Sequence, residues 1–523
     1  MVPGMESRHM TLTRLMTAAA LLALATRAGA DEPLTLTEAT GRALAKNHAI
    51  RVEREQVTAA DARARGAAGV YDVQLKVDVN ARHHRDPVNS LFAGAPDGRP
   101  APSQNSFTST MTLSQRLRTG AMASASTSVT REGTDGLFSP FAPAYTSSLG
   151  VDLQQPLLRD RAIDPARTSL LVTALDRDRS SAVLSRQAME TVADVEKAYW
   201  GLVAARRELD VRRGNLTLAE RQRIDTQARI EARTAAVSDL AQPTAEVERR
   251  RGELLSAQEA VVRSERALKL LIAETLDDPI WAQDLVPADA PDTTMRPVDL
   301  PRALAEARRN RPEVAELNAR GSQHDAEIKL AHNQLKPRVD LVASYTIRGM
   351  AGDLETSGLP FNIPVSLPTS LNGGLGNSWS NLFDQKFPDF VVGVSFDVPL
   401  GKREARAQLA AAEADRRRIA TEMSGTHERI ATEVLNAATA IETAAGRIQA
   451  ARAGLAAAQT QLRAEQDRFE AGLSTNFFVL TRQNDLAQAQ LVEISALTDY
   501  RKAETELARA SGTLLNDRNI RIQ

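Results

Sequence analysis

The chain has 523 residues, more than one compact core ordinarily organises, and its 65 basic and 66 acidic side chains leave a net charge of −1. That balance gives no electrostatic footprint for a nucleic-acid partner. Aromatics at 4% and the lack of any cysteine exclude a thick aromatic core and a disulfide framework, while 25% charged residues laced with alanine suit long, closely packed helices.

Residues 1–30 read as a cleavable signal peptide. Arg8 and Arg14 supply positive charge, Leu15 to Ala25 is a short apolar stretch, and Ala28, Gly29 and Ala30 give the small-x-small pattern before a cut at Asp31. No later segment offers the roughly 20 apolar residues of a membrane helix. With no cysteine to carry a lipid, strands and helices must hold the exported protein in place.

A first structural repeat is expected over 31–276, a linker over 277–300 and a second repeat over 301–523. Leu36, Ala39, Ala43 and His48 align with Leu300, Ala303, Ala307 and Pro312 at a constant offset of 264. Gly150 and Pro156 match Gly393 and Pro399 at an offset of 243, and Arg229, Glu231 and Ala232 match Arg468, Glu470 and Ala471 at 239. The proline-rich stretch with Pro279, Pro287, Pro291 and Pro297 separates the copies. Each copy reads helix, strand, long loop, strand, very long helix, turn, helix.

The strands alternate. Val73, Leu75, Val77 and Val79 share one face with Gln74, Lys76 and Asp78 opposite, and Leu149, Val151 and Leu153 alternate with Ser148, Gly150 and Asp152. The second copy has Val339, Leu341, Ala343 and Tyr345, then Phe390, Val392, Val394 and Phe396. Period two over about ten residues is the pattern of a membrane barrel strand. A half-buried soluble sheet shows it too; export and the helices favour the membrane. Four such strands cannot close a barrel alone, so the chain must oligomerise, to eight strands from two copies or twelve from three. A further alternating pair, Thr108–Leu117 and Ala121–Arg131 around Thr119 and Gly120, is expected as an extracellular hairpin, with the barrel wall as its alternative place. Ala166 to Ala232 and Lys402 to Ala471 contain no proline and each spans roughly 100 Å as continuous helix.

Several segments resemble the TolC family of outer-membrane channels: Leu34–Ala39 with Leu44 and Asn47, Gln155–Leu158 and its second copy Val398–Gly401, Ala198–Trp200, Arg311–Val314, and Arg468–Ser474. The resemblance covers nearly the whole chain after residue 30, through the order and duplication of motifs. It implies a mixed α/β membrane protein: an outer-membrane β-barrel with four strands per protomer and twelve per homotrimer, continuous with a periplasmic α-helical barrel. It also implies the channel role in a tripartite efflux or type I secretion system. There the helical-hairpin tips dock a periplasmic adaptor (membrane fusion) protein, coupled to an inner-membrane transporter of the RND, ABC or MFS class.

The tips implied for docking are Val237 and Ser238 in the first hairpin and Arg468, Gly472, Leu473 and Ser474 in the second. The first tip, Arg233 to Ser238, lacks the glycine present at Gly472, so the two are expected to engage an adaptor differently. His48 stands where the family usually has proline. Where relatives often place a bulky apolar ring and then an aspartate, this chain has Phe477 and Thr481, the candidate periplasmic gate. A cation-selective acidic ring is therefore not expected.

Competing readings rest on less. His83, His84 and Asp86 could suggest a metal site, but adjacent loop histidines are an ordinary surface feature. The arginine runs at 249–251 and 416–418 suit solvated helix faces. Phe477 and Phe478 could equally pack one hairpin on its neighbour. An exported periplasmic coiled-coil adaptor or structural protein shares the helices but needs neither alternating strands nor duplication. An enzyme, catalytic residues and cofactors find no supporting motif: no phosphate loop, no HExxH, no serine elbow and no cysteine nucleophile.

Overall fold

The computed structural model describes residues 33–85, 87, 101–136, 139–291, 294–354 and 367–522. The expected signal peptide and Asp86 lie outside them. The chain forms two interleaved compact units. One comprises Asp178–Asn318 and Thr421–Gln523 with the chain up to Thr58; the other comprises Ala59–Arg177 and Ala319–Ala420.

The second unit is built on one antiparallel sheet of β2 (Gln74–Arg85), β3 (Ser103–Arg116), β4 (Met122–Thr134), β5 (Phe141–Pro156), β7 (Arg338–Leu354) and β8 (Phe387–Asp397), hydrogen-bonded in that order. The two-residue strands β1 (Pro33–Leu34) and β6 (Val286–Pro287) pair in parallel elsewhere. The six-stranded sheet corrects the expectation of four strands with an outlying extracellular hairpin. β3 pairs β2 over twelve residues and β4 pairs β5 over eleven, so the hairpin is an integral part of the sheet. Its tight turn needs Gly120, at φ +89°, whose N–H donates to the Leu117 carbonyl at 2.9 Å.

Register makes one face continuous across all six strands. Leu75 stands opposite Leu113, Leu113 opposite Ala125, Ala125 opposite Val151, Val151 opposite Tyr345 and Tyr345 opposite Phe390. Val77, Met111, Phe107, Val392 and Phe396 lie on the same face and are exposed, Phe390 and Phe396 by 75% and 71%. The other face carries Lys76, Asp78, Thr110, Thr112, Ser126, Ser128, Ser344 and Thr346. Between β7 and β8 the chain forms the short helix α7 (Leu375–Phe383), which packs on β5 and β7.

The first unit holds α1 (Leu36–Lys46), α4 (Ala241–Ile272), α5 (Leu300–Asn310) and α9 (Asn476–Ala510). It also holds most of the 67-residue α3 (Pro165–Glu231) and the 68-residue α8 (Arg403–Glu470), and the ends of α2 (His48–Ala67) and α6 (Pro312–Gln334). Short α10 (Leu514–Asp517) closes the chain. α1 starts on a capping box: Thr35 Oγ1 accepts from the Glu38 N–H at 3.2 Å, and Glu38 accepts from the Thr35 N–H at 3.0 Å. Asn47 and Arg311 are both extended, and each ends one helix and hands the chain to the next. His48 and Pro312 are thus the first residues of α2 and α6. Proline suits that position because its absent N–H has no intrahelical partner there anyway.

Two cores flank the segment expected as linker. In one, Val195, Tyr199, Leu202 and Leu209 of α3 pack with Val261, Leu268 and Ile272 of α4, Ala39 and Ala43 of α1, and Ile280. In the other, Ile441, Ala444 and Ile448 of α8 meet Ala496, Leu497 and Tyr500 of α9. Small residues at these seams let the helices approach closely. The Tyr199 hydroxyl bonds the Asp289 carboxylate at 2.7 Å and the Leu34 carbonyl at 2.9 Å, and burial pushes its pKa well above the ordinary phenol value. The Tyr500 hydroxyl accepts from the Arg296 N–H at 3.2 Å. The arginine of the Arg311–Val314 motif is buried and bonds Glu313 at 2.6 Å and Glu433 at 2.9 Å.

Candidate functional site: hairpin ends and an apolar sheet face

The two helical hairpins end in the same turn. In the first, the Thr234 N–H donates to the Arg229 carbonyl and the Arg233 N–H to Ile230; in the second, Leu473 donates to Arg468 and Gly472 to Phe469. Both are Schellman caps, with the residue after the helix in the left-handed region: Arg233 at φ 60° and Gly472 at φ 73°. The missing glycine therefore leaves the backbone turn unchanged. It leaves an arginine in a conformation that costs a non-glycine residue about 1–2 kcal/mol. What differs is the side chains offered.

Val237 and Leu473 stand out into solvent, 77% and 81% exposed. Ser238 lies in the 3-10 turn Val237–Leu240, whose start is held by Asp239 accepting from the Ala236 N–H at 3.2 Å. Ser474 donates to Glu465, which Arg468 also approaches at 3.6 Å. Leu473, Ser474, Val237 and Ser238 are thus surface groups on fixed turns.

Phe477 and Phe478 open α9, 55% and 48% exposed, with their rings edge-to-face at 5.6 Å. The half-buried Thr481 donates its hydroxyl back to the Phe477 carbonyl at 2.8 Å. The next carboxylate, Asp485, is paired with Arg482 at 2.8 Å. No acidic group follows Phe477 by one turn.

Ties between the hairpins escape sequence reasoning. Asn476 bonds Gln222 and, at 3.4 Å, Thr226, while the Arg229 guanidinium sits over the Phe469 ring at 4.5 Å. All are residues of α3 meeting the end of the second hairpin, more than two hundred positions away. No local spacing announces such pairs. Further along α3, the fully buried Glu196 accepts two bonds from Arg518, at 2.6 and 3.0 Å, and one from Thr505 at 2.5 Å. These partners draw α9 and the chain's end onto α3.

His83 lies on β2 and its Nδ1 pairs with Asn105 at 2.7 Å. Among the described residues no group of three or more histidine, aspartate or glutamate side chains could hold a metal ion. Nor is any helix there long and apolar enough to cross a membrane. Most of the sheet's exposed apolar residues fall on one face, while Met122, Met350, Phe387 and Val391 lie on the other.

Residues 303–513 match the family model for outer membrane efflux proteins. No curated protein sequence matches the chain. Solved structures share the fold across nearly its whole length. A membrane protein from Pseudomonas aeruginosa is 20% identical with a TM-score of 0.62, over 91% of this chain and 93% of that one. The CmeC outer membrane channel of Campylobacter jejuni is 13% identical with a TM-score of 0.63, over 92% and 86%. The outer membrane protein VceC of Vibrio cholerae is 16% identical with a TM-score of 0.61, over 91% and 96%. Family match, shared fold and apolar sheet agree with the resemblance seen in the sequence: residues 303–513 match the outer membrane efflux protein model, and the chain shares the fold of solved outer-membrane channels.

Proposed function

We propose that the chain is the channel subunit of a tripartite efflux or type I secretion assembly, a passive conduit built as a homotrimer. The observation that carries this is the six-stranded sheet. It exposes one continuous apolar face, and among the described residues neither β2 nor β8 has a strand on its outer side. Open edges are not tolerated in lipid, so such a sheet becomes stable there only when edges of neighbouring copies pair. Three copies then close eighteen strands rather than twelve. The groove between α8 and α9, floored by Ala450, Ala451, Gly454, Ala489 and Ala496, offers the small side chains that let a neighbouring copy's helix approach closely.

The matching order of elements in 31–276 and 301–523, joined by 277–300, is read as an internal duplication, so three chains give six similar hairpins. In this reading the tips bearing Val237, Ser238, Arg468, Gly472, Leu473 and Ser474 dock a periplasmic adaptor. That adaptor connects the channel to an inner-membrane transporter of the RND, ABC or MFS class. Phe477 supplies an apolar constriction that closes by excluding water, with Thr481 a neutral lining. Fractionation tests the core of this: the mature protein should be an SDS-resistant outer-membrane oligomer that dissociates on boiling. A soluble periplasmic monomer would overturn it.

A further inference from the structure

Helix α7 leaves much of its apolar surface uncovered. It docks on the sheet through small and polar residues: Ser378 donates to the Gly349 carbonyl at 3.0 Å and meets the Ser147 hydroxyl at 2.9 Å, and Asn381 donates to Met350 at 2.9 Å and Ser370 at 2.7 Å. Ser378, Asn381 and Leu382 are buried. Gly349 makes the approach possible, since a Cβ there would lie 1.9 Å from the Ser378 carbonyl oxygen. The apolar stripe at spacing four is only partly covered: Leu375 and Phe383 are exposed, and Trp379 between them is half-buried. Phe383 is 65% exposed, and its ring stacks on Trp379 at 5.9 Å. Among the described residues the Trp379 indole N–H has no hydrogen-bond partner.

A helix in water buries its apolar stripe; this one buries Ser378 and Asn381 beside Leu382 and leaves Leu375 and Phe383 exposed, with Trp379 half-buried. The sheet residues beneath it, Ser147, Ile347, Gly349 and Ala351, belong to the apolar face that runs across all six strands. β5 and β7 are inner strands, whereas copies pairing at sheet edges meet at β2 and β8. The stripe therefore continues the lipid-facing surface and is not a contact between copies. It lies toward the end of β7 that runs into the β7–β8 connection, opposite the end that follows α6.

We propose that α7 is a lipid anchor: it lies against the outer side of the barrel wall with Trp379 and Phe383 at the boundary between headgroups and acyl chains. There tryptophan's apolar body and single N–H donor are both satisfied. This rests on the channel reading and assigns a membrane-facing role to a segment outside the wall itself.

The test is quenching of tryptophan emission in proteoliposomes of phosphatidylcholine brominated either near the headgroup or near the chain ends. The chain has three tryptophans, and Trp200 and Trp281 belong to the helical unit. Wild type should lose the emission of one tryptophan, more strongly with shallow bromines, and Trp379→Phe should lose almost none. Adding Phe383→Trp to Trp379→Phe should restore the quenching. Equal quenching of wild type and Trp379→Phe, or Trp379 reached by aqueous iodide rather than bromolipid, would overturn the proposal. Phe390→Trp in the Trp379→Phe background separates the two failures. If that wall position is quenched deeply while Trp379 is not, only the anchor fails; if neither is quenched, the barrel reading fails as well.

Discussion

Replacing Gly472 by valine isolates what the second hairpin turn requires. A Cβ at Gly472 would meet no atom within 4 Å, so crowding contributes nothing and only the φ of 73° matters. A non-glycine residue in that region costs about 1–2 kcal/mol, and a β-branched one sits at the upper end. The first hairpin holds the reciprocal case, since Arg233 already bears this cost. Arg233→Gly should relieve it, less the roughly 0.4–1 kcal/mol by which glycine favours the unfolded chain, for a net gain of up to about 1.6 kcal/mol. Native-state hydrogen exchange reads both. The amides of residues 472 and 473, which close the cap onto Phe469 and Arg468, should lose about tenfold protection in Gly472→Val. Those of residues 233 and 234 should gain up to about fifteenfold in Arg233→Gly. Adaptor docking and efflux should fall in Gly472→Val with the oligomer intact. Unchanged protection in Gly472→Val, or reduced protection in Arg233→Gly, would refute the argument that backbone conformation limits these turns.

Phe477→Ala should raise single-channel conductance and admit large antibiotics to cells; an unchanged conductance with a disrupted oligomer would mean the ring packs hairpins together. Thr481→Asp should shift selectivity toward cations with little change in leak, read from reversal potentials in asymmetric salt. Gly349→Ala forces α7 off the sheet and should cost about 1–3 kcal/mol, with a change in Trp379 emission; an unaltered spectrum would contradict the close approach. Asp278 accepts from Lys46 at 2.9 Å, and that bond, with help from the Ile280 N–H, holds its carboxyl at about 2. Its folded value lies below an unfolded one of about 3.9, so this stabilisation is complete above about pH 4 and is lost as pH falls toward 2. Asp278→Asn should flatten the acid limb of a thermal-dissociation profile, and an unchanged limb would remove the pair from the account.

Much of the fold was legible because it rests on local periodicity. Proline-free runs gave α3 and α8 within a residue of their observed limits, and alternation gave β2, β5, β7 and β8. The hairpin at 108–131 was visible as two alternating segments, but its place was not. Alternation reports which side chains share a face; it does not report which strand accepts the next hydrogen bond. Helix α7 was missed because its apolar stripe of Leu375, Trp379 and Phe383 spans only nine residues between glycines and asparagines. At the tips, the absence of a glycine in Arg233 to Ser238 bore on adaptor engagement and left the backbone of the turn unspecified. The chain tolerates arginine there because the six-residue cap closes with the same two backbone bonds as at Gly472. The cross-hairpin contacts of Arg229 and Asn476 come only from tertiary packing.

The central claim is that copies of this chain pair their open sheet edges into one lipid-embedded barrel. Native mass spectrometry of the detergent-extracted outer-membrane protein, with planar-bilayer recording of the same sample, tests it most directly. The account predicts a three-chain complex, resistant to SDS until heated, that inserts to give discrete conductance steps. A single-chain species that neither resists SDS nor conducts would contradict it.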